Sequence, residues 1–362
     1  MIEFILLAAA TAIWLVGVYY LRGPDLGAFD ASSAGAKLER FSTGDSMNEE
    51  HRAVLRTLGE INAAVRDLPR AERLAALRAA IDNMSANQSF SARFVPVDAA
   101  GVPAEWVLAP GSDGARRTLY IHGGAYMFGS PRSHRVITSR FSEISGGAVL
   151  AIDYRLMPEH RRIAGIEDCR AAYRWLLEFG PDGPQAAREV FVAGDSAGGN
   201  LALSLIAWVR DQGLRAPDAV VALSPATDST LGSTSLRTNI ATDAMLGPLF
   251  GPLARIPRSV LLWVGLIQNR MSPSNPAISP VFGDLANLPP LLVHASDVEM
   301  LLDDSRRYVN KAAAAGTPAR LQTWNHVVHV WHLFAPALTE ARQAFEEIRK
   351  FLAEHSRGTP AS

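Results

Sequence analysis

The sequence predicts an α/β fold, a mostly parallel central sheet with helices on both faces. Three observations carry that expectation. From Phe90 onward short β-rich runs alternate with helical ones. Stretches such as Ile166–Phe179, Asn200–Gln212 and Asp303–Ala315 have the length and pattern of crossover helices, which parallel strands require. The first two runs are joined by a Gly101-Val102-Pro103 turn, which predicts an antiparallel hairpin at one edge.

Composition bounds the answer. With 362 residues, 48% of them hydrophobic, the chain can bury a large core, and its net charge of −1 is the opposite of a disordered signature. The balance of 35 basic against 36 acidic residues removes the electrostatic footprint of a nucleic-acid binder. A single cysteine, Cys169, excludes an intrachain disulfide and any cysteine-based zinc or iron–sulfur site.

The elements follow in order. Phe4 to Leu21 carries no formal charge, and a helix of that length reaches roughly 27 Å, close to bilayer thickness. Residues 1–22 are therefore expected to form an N-terminal apolar helix acting as a membrane anchor. Arg22, Lys37 and Arg40 follow the run and no basic residue precedes it, which would leave the body membrane-associated on the cytoplasmic side. A cleaved signal lacks its basic n-region here, and a helix packed on the body is the remaining alternative. Residues 23–46, rich in Gly, Ala, Ser and Asp, read as a linker. Residues 47–89 read as a helical cap region, with Val54, Leu55, Leu58, Ile61, Val65 and Leu68 at helical steps, then Leu74, Leu77 and Ile81 after Pro69. Strands are expected at 92–99, 104–110, 118–122, 148–154, 190–194, 220–224, 291–295 and 321–324 within a unit spanning 90–356. The stretch of about 228–276 breaks the alternation with Gly, Pro and Met and reads as a helical insertion.

Two motifs carry chemistry. Gly194-Asp195-Ser196-Ala197-Gly198-Gly199 follows the apolar run Val190–Ala193 and opens a helix, the context of a nucleophile elbow. The helix N-terminus would point its dipole and free amides at the seryl oxygen. His122-Gly123-Gly124-Ala125-Tyr126 directly follows another strand. Successive glycines leave amides able to converge on one oxyanion, so Gly123, Gly124 and Ala197 are the expected donors. His122 is expected to orient this loop rather than to catalyse.

These motifs, with DYRLMPEH from Asp153, LPPLLVHASDVEMLLDDS from Leu288 and a histidine segment near His329, occur in an order that resembles the α/β-hydrolases of the hormone-sensitive-lipase family, a group that includes bacterial carboxylesterases. The resemblance covers about 90–356 and implies an α/β-hydrolase fold with a helical cap. Two departures stand out: the fourth position of the HGGG motif is Ala125, and the apolar, proline-containing run after Pro158-Glu159-His160 is replaced by Arg161-Arg162, a change expected to alter the local surface.

The resemblance implies a Ser…acid…His order. Its acid stands two residues before a leucine and four before an aspartate, which selects Glu299 over the other candidate, Asp297. Its histidine precedes a short apolar-aromatic segment, matching His329 rather than His326, with His326 and His332 as loop or surface residues. Tyr126, Asp195, Met245, Leu246, Leu249 and Phe250 are expected to contact substrate. The implied activity is a serine carboxylesterase acting on short- to medium-chain acyl esters through Ser196, Glu299 and His329. The alternatives are a lipase on membrane lipid esters and a non-catalytic binding protein on the same scaffold. No metal or cofactor is implied, since the histidine spacing suits no metal site and no HExxH accompanies it. A homodimer is expected, and no nucleic-acid partner.

Overall fold

A computed structural model of the protein describes residues 1–31, 35–42, 44, 46–86 and 88–356. Within the first helix the side chains of residues 2, 3, 6, 7, 9 and 10 lie outside that description. Parts of the expected linker, residues 32–34, 43 and 45, are also outside it.

The strands are β1 (Lys37–Phe41), β2 (Arg93–Asp98), β3 (Pro103–Leu108), β4 (Asp113–Ile121), β5 (Gly147–Ile152), β6 (Glu189–Asp195), β7 (Ala219–Leu223), β8 (Leu291–Ser296) and β9 (Ala319–Trp324). They form one sheet in the order β1-β9-β8-β7-β6-β4-β5-β3-β2. From β1 through to β5 every pairing is parallel. At the other end β2 pairs antiparallel with β3, and β3 antiparallel with β5. The hairpin at the Gly101-Val102-Pro103 turn is thus an edge of the sheet.

Every residue of β5, β6, β7 and β8 is buried, because helices cover both faces. The period of two divides their side chains between two cores. Leu119, Ile121 and Val192 face one core with α5 (Arg162–Glu178), α6 (Ser196–Asp211) and α10 (Leu302–Ala314). Tyr120, Phe191 and Ala193 face the other, with α4 (Arg135–Ser145) and α11 (Thr339–Glu354).

The remaining helices sit above the carboxyl ends of the strands. They are α2 (Glu49–Arg66), α3 (Arg73–Asp82), the single turns α7 (Ser235–Thr238) and α8 (Gly247–Phe250), and α9 (Arg258–Asn269). Helix α2 starts in a capping box, Asn48 and His51 bonding each other's backbone N–H. Its Val54 and Leu58 join the α4–α11 core.

Two expectations are corrected. The stretch read as linker contains β1, which pairs in register with β9 from Lys37 with Arg320 to Phe41 with Trp324. Phe41 stacks on the buried Trp324 at 4.5 Å, and a single apolar anchor on a short polar strand leaves no alternation to read. The expected membrane span is not supported: among the described residues no single helix is long and apolar enough to cross a membrane. The apolar N-terminal run does form a helix, α1 (Ile2–Tyr19). It leans on α9, where the Trp263 indole N–H donates to the Ile13 carbonyl at 2.9 Å and its ring lies against Gly17.

Candidate active site

Four chain segments leave the carboxyl ends of neighbouring parallel strands and converge, as loops at that edge of an α/β sheet do. The turn from β6 into α6 carries Ser196, which takes a left-handed conformation with φ of 53°. That strain is a price the surroundings enforce: a Cβ on Gly198 would collide with the carbonyls of Ile121 and His122, so the helix is pressed against the end of β4.

Ser196 Oγ lies 2.9 Å from His329 Nε2, and His329 Nδ1 lies 2.7 Å from Glu299 Oε2. Glu299 comes from the turn after β8, where its Oε1 accepts from the Ser296 N–H at 3.1 Å. His329 comes from the loop after β9. Both are buried, while Ser196 is half-buried at the floor of a cavity. Burial pushes the Glu299 carboxyl up, an effect partly offset by its hydrogen bond to His329. For His329 burial acts downward but is outweighed by the hydrogen bond and charge of Glu299, so the imidazole sits above its ordinary value. The carboxylate accepts from Nδ1–H, which leaves Nε2 as the acceptor for the serine hydroxyl.

The rival candidates are placed elsewhere. Asp297 pairs with Arg40 of β1 at 2.5 Å. His326 lies edge-on to His51 with ring centroids 6.3 Å apart. His332 is not at the surface as expected. It is buried against His294, 3.1 Å between ring nitrogens, within an aromatic cluster with Trp324 and Trp331 that local spacing does not announce.

The loop after β4 corrects two further expectations. The Gly123 N–H donates to Asp195 Oδ1 at 3.0 Å, so it is not available to a substrate oxygen. Among the described residues the N–H groups of Gly124, Ala125 and Ala197 have no acceptor, and they stand at this end of the cavity. Ala125 and Tyr126 hold positive φ angles of 52° and 62°, the strained turn that aims these amides. Asp195, expected to contact substrate, has its carboxylate filled: besides Gly123 it accepts from Tyr120 Oη at 2.7 Å and faces His134 Nε2 at 3.2 Å. Burial alone would raise Asp195, but the charge and hydrogen bond of His134 bring it below the usual carboxylate value. His134 was not singled out by the sequence reading. Its only signal is a position nine residues after the HGGA loop, at the next helix entry. His122 stacks on Tyr154 at 4.4 Å and bonds the Gly123 carbonyl through Nδ1 at 2.7 Å. Burial, with the nearby charge of His134, lowers it to about 3, so it stays neutral.

The cavity holds about 480 Å³. Leu58 and Ile61 of α2, Leu77 and Ile81 of α3, and Leu261 of α9 line it, as do Met245, Leu246, Leu249 and Phe250. The cap region and the insertion thus wall one chamber over Ser196. Arg162, expected at the surface, is buried beneath this chamber at 6% exposure.

Residues 118–333 match a family described by the alpha/beta hydrolase fold. An acetyl-hydrolase of Streptomyces hygroscopicus is 41% identical over 69% of this chain and 79% of its own length. An esterase of Acinetobacter venetianus is 30% identical over 83% of this chain and 92% of its own. A crystal structure of an esterase from the bacterial hormone-sensitive lipase family superposes with a TM-score of 0.73 at 35% identity, covering 86% of this chain and 99% of that one. Strand order, the Ser196 turn and the HGGA loop therefore agree with the sequence comparison: this chain belongs to the α/β-hydrolase family, among relatives of the bacterial hormone-sensitive lipases.

Proposed function

We propose that the protein is a serine carboxylesterase that hydrolyses short- to medium-chain acyl esters. A carboxylic ester hydrolase is what its relatives' names describe. The observation that carries the mechanism is the chain of contacts from Ser196 Oγ to His329 Nε2 at 2.9 Å and from His329 Nδ1 to Glu299 Oε2 at 2.7 Å.

In this reading His329 takes the hydroxyl proton as Ser196 Oγ attacks the ester carbonyl. Glu299 holds the tautomer and stabilises the imidazolium without taking the proton. The amides of Gly124, Ala125 and Ala197 receive the oxyanion, each donor of this kind contributing about 3 kcal/mol in comparable sites. His329 then returns the proton to the departing alcohol, leaving an acyl-serine. Water enters, gives its proton to the same histidine, and releases the acid. The apolar, capped cavity of about 480 Å³ supports an alkyl chain of limited length. A purely binding protein would need no base within reach of its serine.

The test is hydrolysis of p-nitrophenyl esters from acetyl to palmitoyl, with Ser196→Ala alongside. The expected result is a maximum at or below about eight carbons and a fall of at least 10⁴-fold in kcat/KM for the variant. A maximum at the longest chains would reject the chain-length reading, and equal rates for both proteins would reject the enzyme reading.

A further inference from the structure

We propose that the cavity is built for an ester whose chain carries an uncharged oxygen, held by the hydroxyl of Tyr126 under the control of the buried cation Arg162; this rests on the ester hydrolase reading above. Arg162 opens α5 and has no carboxylate partner among the described residues. Its Nη1 donates to Ser229 Oγ at 3.0 Å, and the two hydrogens of its Nη2 are shared among Tyr126 Oη at 2.6 Å, Asn200 Oδ1 at 2.8 Å and the Ile278 carbonyl at 2.8 Å. Its guanidinium carbon stands 3.9 Å from the centre of the Tyr126 ring, and its Nε has no hydrogen-bond partner.

Stability does not explain this side chain. A cation at a helix N-terminus opposes the helix dipole, and a buried charge without an opposite charge is costly where an apolar side chain would pack freely. The pattern that this segment resembles is apolar here. What the guanidinium does accomplish is to fix the role of one hydroxyl. Because Tyr126 Oη accepts from Arg162, its own hydrogen must find another acceptor. Of the buried tyrosines, 120, 154 and 173 each donate to a protein oxygen, while the Tyr308 hydroxyl, outside the cavity lining, has no partner among the described residues. Tyr126 has no such acceptor among the described residues, and it lines the cavity beside Ser229. A donor whose oxygen is already bonded to a cation is a stronger donor, and in an apolar chamber it selects for a ligand that can accept.

The chamber favours an uncharged ligand oxygen. Asp228 and Asp304 line it next to Ser229, and Arg237 and Arg258 line it as well. A hydroxyl, keto or ether oxygen can accept from Tyr126 without the desolvation cost of burying a carboxylate in this apolar chamber. The two aspartates are held in place by the chain: Asp304 Oδ2 accepts from the N–H groups of Thr227 and Asp228 at 2.8 and 2.9 Å, and Asp228 Oδ1 accepts from the Thr230 N–H at 2.7 Å. Their carboxylates are thus engaged by the protein's own donors.

The experiment compares kcat/KM for matched p-nitrophenyl esters, butanoyl against 3-hydroxybutanoyl and pentanoyl against 4-oxopentanoyl. The proteins are the wild type, Tyr126→Phe and Arg162→Met. One added hydrogen bond predicts that the wild type prefers at least one oxygenated ester by about fivefold or more. In Tyr126→Phe that ratio falls to about one, and in Arg162→Met it falls towards one. Wild-type ratios of one or below for both pairs overturn the proposal without any variant, as does a Tyr126→Phe enzyme that keeps the preference. A wild type inactive on all four esters overturns the ester hydrolase reading, and the oxygen-binding proposal with it.

Discussion

Two buried histidine–carboxylate pairs stand on either side of Ser196, and they do different work. His329 meets Glu299 at 2.7 Å through Nδ1, and His134 meets Asp195 at 3.2 Å through Nε2. In both, burial pushes the imidazole down and the carboxylate more than restores it, so both histidines sit above their ordinary value. What separates them is the far nitrogen. That of His329 reaches the half-buried Ser196 Oγ at 2.9 Å. That of His134 ends on Ser133 Oγ at 2.8 Å and the Ser130 carbonyl at 3.3 Å, inside the wall. The first pair has an open end, as the proposed proton transfer requires. The second is closed, and its carboxylate holds Gly123 so that the next two amides are aimed. In the proposed mechanism, a histidine–carboxylate pair is thus a catalyst or a brace according to what its free end touches.

The comparison would break most visibly at Glu299. Glu299→Gln should lower kcat by about 10³- to 10⁴-fold with a small change in KM, because the amide no longer stabilises the imidazolium or selects its tautomer. It should also move the acid limb of kcat/KM. In the proposed mechanism His329 acts only when neutral, so wild-type activity is expected to rise with pH through a value above that of an ordinary histidine. Removing the carboxylate leaves the downward push of burial opposed only by the weaker pull of Asp243 and Asp195, and shifts the limb to lower pH. A residual pH profile identical to the wild type would assign that limb to another group.

Asp195→Asn keeps an oxygen for the Gly123 N–H but discharges the pair. A fall in kcat of roughly tenfold is expected, since the amides are misaimed rather than removed. A loss as large as that of Glu299→Gln would erase the distinction between brace and catalyst.

His134→Gln should act more on stability than on rate. Removing one partner of a buried pair costs about 3 kcal/mol, read as a lower Tm, while kcat stays within about tenfold. The sign of the pH dependence follows from the directions of the shifts. His134 is raised in the fold, so its contribution is complete below the unfolded imidazole value and disappears as pH rises through the folded one. Asp195 is lowered, so its contribution is complete above the unfolded carboxylate value and disappears as pH falls through the folded one. The Tm difference between wild type and His134→Gln should therefore be largest between the carboxylate and imidazole ranges and shrink on the alkaline side. A constant difference across that range would mean that packing, not charge, holds the pair.

The smallest effect is expected at Asp297. Its partner Arg40 is mostly exposed at 71%, and such pairs contribute little. Asp297→Asn should leave kcat/KM within about twofold. A large loss would return Asp297 to the list of candidate acids.

Much of this was legible from the chain itself. Alternating strands and crossover helices specify a parallel sheet because only a long crossover returns a strand in the same direction. Glycines 194 and 198 announce the Ser196 turn because no side chain fits there, and the resemblance to the hormone-sensitive-lipase family singles out Glu299 through the leucine and aspartate that follow it. The β1 strand and the α1–α9 contact were not legible, since each depends on one aromatic ring finding a surface far away in sequence.

The remaining decisions belong to the tertiary structure alone. Sequence determined which groups could act: a serine in a strained turn, acids after one strand, histidines after another, glycines after a third. Only the assembled sheet decided that Gly123 is held by Asp195 while Gly124 and Ala125 are open, that His134 closes the second pair, and that Arg162 lies under the cavity. The physical reason is that a hydrogen bond is decided by where both partners end up. Residue type and spacing report one partner at a time, and the pairs here join distant positions, His134 with Asp195 across 61 residues and Ser196 with His329 across 133.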